Sequence, residues 1–504
     1  MNKQLVIPMS GKGARFLSAG YKVPKPLIKV SNKRIIQHII EMYPGWDEIL
    51  FIVNSDHYND PDLKLEQELM QIAPTAKISV ISQHKNGPSF AVLESVEYLI
   101  NDGPIVINYC DFAGEFDLED FEKKIFKFDC NLLTYTGFHP HMLRNSTYAY
   151  LLKENGIYLD IQEKESYTQD PMSEEASAGA YSFRNKDLLI NAITRQIENN
   201  SNYNGEFYTS LTVKAVMQNS GTISTTKMSR FFQWGTPEDL EDFNYWNEAI
   251  TQIYAEEYSN LESHQNNVVA LMGGLGSRLK FLIEQPKPLI PILGKTLWEQ
   301  SLKSMNKNSK CILIARKEIL NKIDKKIFKE IVGLEENTQG QAHSAYLALD
   351  KVDNLYPITF LSTDCILPFN FTSCVLEFMN INDFDLVVWT ALNYPPSLMK
   401  TKDYSYVVGN EVIQSVHLKS KPDKIEENLE VITGNFTFRN KDVCKKVLEK
   451  LFENKNERVN GEFYLDSSIN VAKHLGLKVG KITVPNFISI GTADEFLTFN
   501  YWCH

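Results

Sequence analysis

Apolar runs and helix-spaced segments alternate along the first half of the chain. Leu5–Pro8 is a short apolar run that stops at a glycine-rich turn. Ile35–Met42 carries apolar residues at helical spacing, and Glu48–Val53 is again an apolar run. Ile78–Ser82, Ile105–Asn108 and Asn131–Tyr135 read as further strands, and Phe90–Ile100 as a helix. In the second half Val268–Met272, Cys311–Ala315 and Ile358–Leu361 play the same parts. Strand–helix alternation predicts an α/β fold: a mixed, mostly parallel, doubly wound sheet with helices on both faces. Such sheets bind ligands beyond the carboxyl ends of their strands.

The two halves are copies. Asn204-Gly205-Glu206-Phe207-Tyr208 returns as Asn460-Gly461-Glu462-Phe463-Tyr464. Phe183-Arg184-Asn185-Lys186-Asp187 returns as Phe438-Arg439-Asn440-Lys441-Asp442, and Gly235-Thr236 as Gly491-Thr492. Phe243-Asn244-Tyr245-Trp246 and Phe499-Asn500-Tyr501-Trp502 close the halves. Matches in one order and nearly one register mark a tandem duplication. The expected division is a first domain over 1–247, a connector over 248–266 and a second domain over 267–504. The connector is polar and acidic and lacks Pro and Gly. Ile253, Tyr254 and Tyr258 give it one apolar stripe, so a packed helical connector is expected.

The chemistry gathers at the first turn and its twin. Gly11-Lys12-Gly13-Ala14-Arg15 is followed by Pro24-Lys25-Pro26-Leu27-Ile28. Gly274-Leu275-Gly276-Ser277-Arg278 is followed by Pro286-Lys287-Pro288-Leu289-Ile290. Glycine turns sharply and lets backbone N–H groups approach a phosphate. Arg15 and Arg278 can fork onto phosphate oxygens. Flanking prolines hold Lys25 and Lys287 on a stiff, extended segment, as transfer of a phosphoryl or nucleotidyl group requires of a cation. Phe16 stands where a dinucleotide fingerprint has its third glycine, and no G-K-[ST] closes the loop as a Walker A motif would.

Composition narrows the class. The chain has 504 residues, enough for two large domains, and 43% hydrophobic content, as in a packed globular protein. A net charge of −11 argues against non-specific nucleic-acid binding. The seven cysteines are scattered and odd in number, which reads as reduced thiols. Neither a signal peptide nor a run of about 18 apolar residues is evident, so a cytoplasmic protein without membrane insertion is expected.

G-x-G-x-R with a downstream P-K-P-L resembles the sugar-phosphate nucleotidylyltransferases over nearly all of both halves. The resemblance implies two tandem Rossmann-like domains. It implies transfer of a nucleoside monophosphate from an NTP to a phosphate ester, with Mg²⁺ and release of pyrophosphate. It assigns the triphosphate to Gly11, Gly13 and Arg15 and to Gly274, Gly276 and Arg278, and the α-phosphate charge to Lys25 and Lys287. It makes the strand-end Asp111 and Asp364 metal ligands; an Asx turn or a helix cap is the plainer alternative. Gln83 and Gly87 would read the base, with Glu336 standing at Gln83's position and Gly340 at the corresponding turn. Glu163, Lys164, Gly179 and Glu206 would bind the acceptor, as would Lys419, Gly434 and Glu462. Glu206 and Glu462 can equally belong to a helix N-terminus.

The chain departs from that pattern in places. Leu418 precedes Lys419, so the second copy loses Glu163's carboxylate. Gln233 and Ser489 stand where the family usually completes its metal site with an Asp before the late Gly-Thr. His139-Pro140-His141 could be mistaken for a metal pair and reads better as a structured loop. The late Gln233–Leu240 stretch resembles relatives in capsule or surface-polysaccharide synthesis. A rival reading makes one half, the second more than the first, a nucleotide-binding regulatory or scaffolding module. A glycosyltransferase of similar fold has no use for P-K-P. The duplication leaves oligomeric state open: two fused copies can mimic a homodimer, and a larger homo-oligomer remains compatible.

Overall fold

A computed structural model describes residues 2–144, 147–253, 255, 258, 260–274, 276–421 and 429–503. The chain divides into two compact units, one reaching Asn244 and the other spanning Tyr245–Cys503. Both are α/β.

In the first unit Gln4–Pro8 lies between Glu48–Asn54 and Ile105–Asn108, parallel to both, and Lys77–Ile81 extends the sheet outward. Beyond Ile105–Asn108 the order runs through Glu175–Phe183, Cys130–Tyr135 and Ile223–Gln233. Every strand on this path points the same way except Glu175–Phe183, which is antiparallel to both neighbours. Gln4–Pro8 and Ile105–Asn108 are covered on both faces, so they read as unbroken apolar runs, not alternating ones. Val6, Leu50, Ile52, Ile107 and Phe183 form the core on one face with Ala91, Val92 and Ile193 from the helices.

The second unit repeats the order with Glu330–Leu334, Ser309–Arg316, Asn266–Met272, Ile358–Ser362, Leu429–Phe438, Leu386–Ala391 and Val479–Thr483. Leu429–Phe438 is the reversed strand. The copies differ at one edge. In the first unit Ile223–Gln233 is a single strand of 11 residues. It pairs with Cys130–Tyr135 and then crosses to Phe112–Phe116. In the second unit that path breaks into Val479–Thr483 and Ile488–Ser489, the latter paired with Cys365–Ile366. Pro485 lies in the break, lacks an N–H for the ladder and forces a turn.

The expected connector helix is shorter than the sequence suggested. The helix Pro237–Gln252 enters the segment and stops, and none of the described residues from 253 to 265 is helical. Asparagine side chains take carbonyls there that a helix would have used. Asn370 donates to Tyr258 O, Asn308 to Ser263 O and Asn306 to His264 O. Tyr254, part of the expected stripe, lies outside the described residues, as does Leu275 of the second glycine turn. No helix among the described residues is long and apolar enough to cross a membrane.

Candidate active site

The glycine turns leave the carboxyl ends of Gln4–Pro8 and Asn266–Met272. Asn54, at the end of the neighbouring strand, donates to Ser10 O at 2.8 Å and pins the first turn. Gly13 adopts φ 65°, ψ 38° and starts the short helix Ala14–Ser18; Gly276 adopts φ 61° before the 3-10 turn Ser277–Leu279. A β-carbon on Gly276 would stand 3.0 Å from Lys287 Cβ, so the second glycine seats the lysine. At Gly11 and Gly274 nothing lies within 4 Å of such a carbon. Those two glycines border open space, not packed protein. Arg15 and Arg278 are exposed beside it.

The lysines do not sit on an extended segment. Pro24 and Pro286 are extended, at ψ 143° and 134°, but Lys25–Leu27 and Lys287–Leu289 are 3-10 turns. Leu27 N donates to Pro24 O at 2.9 Å and Leu289 N to Pro286 O at 2.8 Å. The inner proline is tolerated because the first turn asks no hydrogen bond of its nitrogen. The turn brings Lys25 Nζ to 3.0 Å from Asp111 Oδ2 and Lys287 Nζ into direct contact with Asp364. Both lysines are largely shielded, with 18% and 14% of their side chains exposed, against 33% for each aspartate. Burial alone would lower the Lys25 pKa, but Asp111, with Cys110 adding to it, raises it overall. Burial likewise pushes the Asp364 carboxyl up, and Lys287 outweighs it, holding the carboxyl below its ordinary value.

Each aspartate is anchored by the late Gly-Thr segment. Trp234 N donates to Asp111 O at 2.7 Å and Ile490 N to Asp364 O at 2.8 Å. The threonines then cap a helix: Thr236 pairs reciprocally with Asp239, and Thr492 with Glu495. These are capping boxes. Asp239 also accepts from Gln233 Nε2 at 2.9 Å and contacts His141 Nδ1 at 2.7 Å. His141 is therefore committed to Asp239, which suits the structured-loop reading.

Gln83 and Glu336 follow equivalent strands of the two units. Gln83 lies two residues beyond Lys77–Ile81, and Glu336 two beyond Glu330–Leu334. Gly87 has a packing role that sequence reasoning missed. It stands at φ 89°, ψ 176°, and a β-carbon there would lie 2.6 Å from Phe207 N. Phe207 N donates to Asn86 O at 2.8 Å, and Phe207 O accepts from Ser89 N at 3.1 Å. Gly340 and Phe463 repeat the seat: Phe463 N donates to Gln339 O at 2.8 Å, and Ala342 N to Phe463 O at 2.9 Å.

Glu206 and Glu462 sit on no helix N-terminus. Asn204-Gly205 and Asn460-Gly461 are left-handed pairs, and Tyr203 and Glu206 exchange backbone hydrogen bonds at 3.0 Å across the first. Asn-Gly favours this two-residue turn because both positions need positive φ. The turn carries the glutamate beside the next cation. Lys164, at the end of Ile157–Glu163, is held at φ 60°, and Lys419 at φ 48°. A left-handed lysine is costly, and strain of this kind gathers at functional sites. Lys164 Nζ donates to Tyr208 OH at 2.6 Å and lies 4.4 and 5.0 Å from the Tyr208 and Tyr203 rings. Lys419 instead reaches Asp403 O at 2.7 Å, with the Tyr464 ring 5.5 Å away. Glu163 accepts from Ser210 Oγ at 2.6 Å, and burial raises its carboxyl pKa. Gly179, at φ 108°, lets the reversed strand lie against the Tyr109 and Phe112 rings; Gly434, at φ 81°, occupies the same bulge in the second unit.

The donor set can be tested against a metal ion. Among the described residues no three His, Cys, Asp or Glu side chains group as ligands. Gln233 does not replace the missing carboxylate, because its carbonyl is taken by Tyr148 OH and its amide by Asp239. A single strand-end aspartate fits Mg²⁺ in its phosphate-bound, water-rich mode, and does not fit an all-protein cage.

The model of the family described as nucleotidyl transferase matches this chain twice, over residues 5–248 and 267–483. The bifunctional protein GlmU of Clostridioides difficile is 26% identical over 281 residues, 54% of this chain and 55% of that protein. A UTP–glucose-1-phosphate uridylyltransferase of Mycoplasma pneumoniae is 34% identical over 121 residues, 20% of this chain and 41% of its own length. The chain thus spans about half the length of the curated relatives it matches. Among solved structures, a nucleoside-diphosphate-sugar pyrophosphorylase of Vibrio cholerae RC9 is 20% identical, with a TM-score of 0.40 over 47% of this chain and 98% of that one.

Proposed function

The chain belongs to the nucleotidyl transferase family, and from that premise we propose that it transfers a nucleoside monophosphate from an NTP to a sugar 1-phosphate or similar small phosphate ester. The observation that carries this reading is the shielded Lys25–Asp111 pair beside an open glycine turn, repeated at Lys287–Asp364. The triphosphate lies along the glycine turn, with Gly11 and Gly13 giving backbone access and Arg15 meeting the outer phosphates. Lys164 meets the acceptor's phosphate, and Glu163 and Glu206 meet its hydroxyls. An acceptor phosphate oxygen attacks the α-phosphorus in line. The new P–O bond forms as the bond to the bridging oxygen breaks, and the electron pair leaves on pyrophosphate. Lys25 offsets charge at the α-phosphate, and its place on a 3-10 turn fixes it before substrate arrives. Asp111 and Asp364 would hold Mg²⁺, which supplies further charge neutralisation at the phosphates. Gln83 and Gly87 face the base, and Gly340 the base of the second unit.

Both units keep the lysine–aspartate pair, which favours two competent sites over one site and a regulatory module. The Gln233–Leu240 resemblance supports precursor synthesis for a capsule or other surface polysaccharide. Pyrophosphate release measured against a panel of NTPs and sugar phosphates tests the reading. Lys25→Ala is expected to abolish at least one activity and Lys287→Ala another. Full turnover of every active pair in Lys25→Ala would remove the first unit from the mechanism.

A further inference from the structure

The two acceptor-side walls differ in a way that looks like loss in sequence and like transposition in three dimensions. In the first unit the carboxylate comes from the strand wall, as Glu163, and the opposing helix supplies Ser210, whose hydroxyl donates to it at 2.6 Å. In the second unit the strand position is Leu418. The helix-side position is Asp466, which stands four residues after Glu462 as Ser210 stands four after Glu206.

Asp466 occupies the 3-10 turn Leu465–Ser467 and is only 7% exposed. Among the described residues its carboxylate has no hydrogen-bond partner. Tyr464, two residues before it, has its ring 5.5 Å from Lys419 Nζ; burial and then Glu462 push its hydroxyl pKa up, Arg278 opposes them, and Asp466 adds a smaller push upward. Its oxygens are not among the fully buried polar atoms left without a partner, so a small ligand can reach them. Such a carboxylate is expected where a ligand brings the donor. Two aligned positions also carry smaller side chains: Tyr203 becomes Val459 and Tyr109 becomes Ser362.

Resting on the function proposed above, we infer that Asp466 is the hydroxyl-binding carboxylate of the second unit's acceptor site. It accepts a hydrogen bond from a hydroxyl of a polyhydroxylated phosphate ester whose phosphate meets Lys419. The carboxylate approaches from the helix side, and Leu418 leaves an apolar wall where Glu163 stood. The two units therefore discriminate between acceptors that differ in hydroxyl position.

The test uses the full chain carrying Lys25→Ala and Lys164→Met, which removes turnover and acceptor binding in the first unit. Kinetics and calorimetric binding are measured with UTP and a panel of sugar 1-phosphates and polyol phosphates. Adding Asp466→Asn is expected to raise the acceptor KM, or Kd where turnover is slow, about 10- to 100-fold, the loss of one charge-assisted hydrogen bond. The kcat is expected to change little. The paired exchange Leu418→Glu with Asp466→Ser, which rebuilds the first unit's arrangement, is expected to recover binding and shift acceptor preference toward the first unit's. Unchanged KM and Kd in Asp466→Asn overturn the inference, and so does the absence of any acceptor binding in the parent chain. A wild-type chain that releases no pyrophosphate with any pair instead sinks the transferase reading itself.

Discussion

Gly87→Ala is the most informative single change in the first unit. Gly87 lies at φ 89°, ψ 176°, a region reserved for glycine, so any side chain costs about 1–3 kcal/mol in backbone strain. The added carbon would also lie 2.6 Å from Phe207 N and 2.9 Å from its oxygen, which are backbone atoms that cannot swing aside. Relief requires Phe207 to retreat, breaking its bonds to Asn86 O and from Ser89 N. At about 1 kcal/mol each these bring the expected loss to roughly 3–5 kcal/mol. Gly205→Ala is the control. It too has positive φ, 84°, but nothing lies within 4 Å, so only about 1–2 kcal/mol of strain is expected. Native-state amide exchange at Ile105–Asn108 reads the first unit's own stability. Protection there should fall about fivefold or more further in Gly87→Ala than in Gly205→Ala. Equal losses would refute the claim that Phe207 is seated on Gly87.

Gly11→Ala should behave in the opposite way, because its β-carbon meets nothing within 4 Å. Thermal stability should stay within about 1 °C, while pyrophosphate release falls tenfold or more as the carbon intrudes on the triphosphate; unchanged kinetics would remove Gly11 from the binding surface. Asp129 gives a pH-dependent case. Burial pushes its carboxyl up, but hydrogen bonds from Thr222 N and Oγ1, with Arg184, outweigh burial and lower it overall. A depressed folded pKa stabilises above the unfolded value, about 3.9, and that contribution is lost as pH falls through the folded one. Asp129→Asn should therefore be less stable than wild type at pH 7 and match it in strong acid; a gap independent of pH in denaturant titrations would contradict this.

The duplication and both glycine turns were legible because their signals are local. Glycines, prolines and a repeated register need no partner to be read. The extended setting expected for Lys25 was wrong because two prolines admit a 3-10 turn as readily as an extended strand, and only the carbonyl of Pro24 decides. The Lys25–Asp111 contact joins residues 86 positions apart, and the seat of Phe207 on Gly87 joins residues still farther apart in the chain. No local pattern encodes either. The Thr236–Asp239 and Thr492–Glu495 boxes could have been found, since T-x-x-D and T-x-x-E before an apolar run mark a helix start. Asp466 was hidden for a different reason: residue-by-residue reading notes a missing Glu163 and has no means of seeing that the opposite wall has gained an acid.

The broken edge strand of the second unit bears on how each lysine–aspartate corner is suspended. In the first unit one uninterrupted strand runs from Ile223 in the sheet interior to Gln233, so the residues beside Asp111 are a cantilever of the sheet. In the second, Ser489 is reached only after the turn that contains Pro485, and its short ladder is shared with Cys365–Ile366. That corner hangs on a pivot. Displacing the residues beside Asp111 has to bend a beam, whereas displacing those beside Asp364 only swings a joint, a mechanical inequality between two corners that began as duplicates.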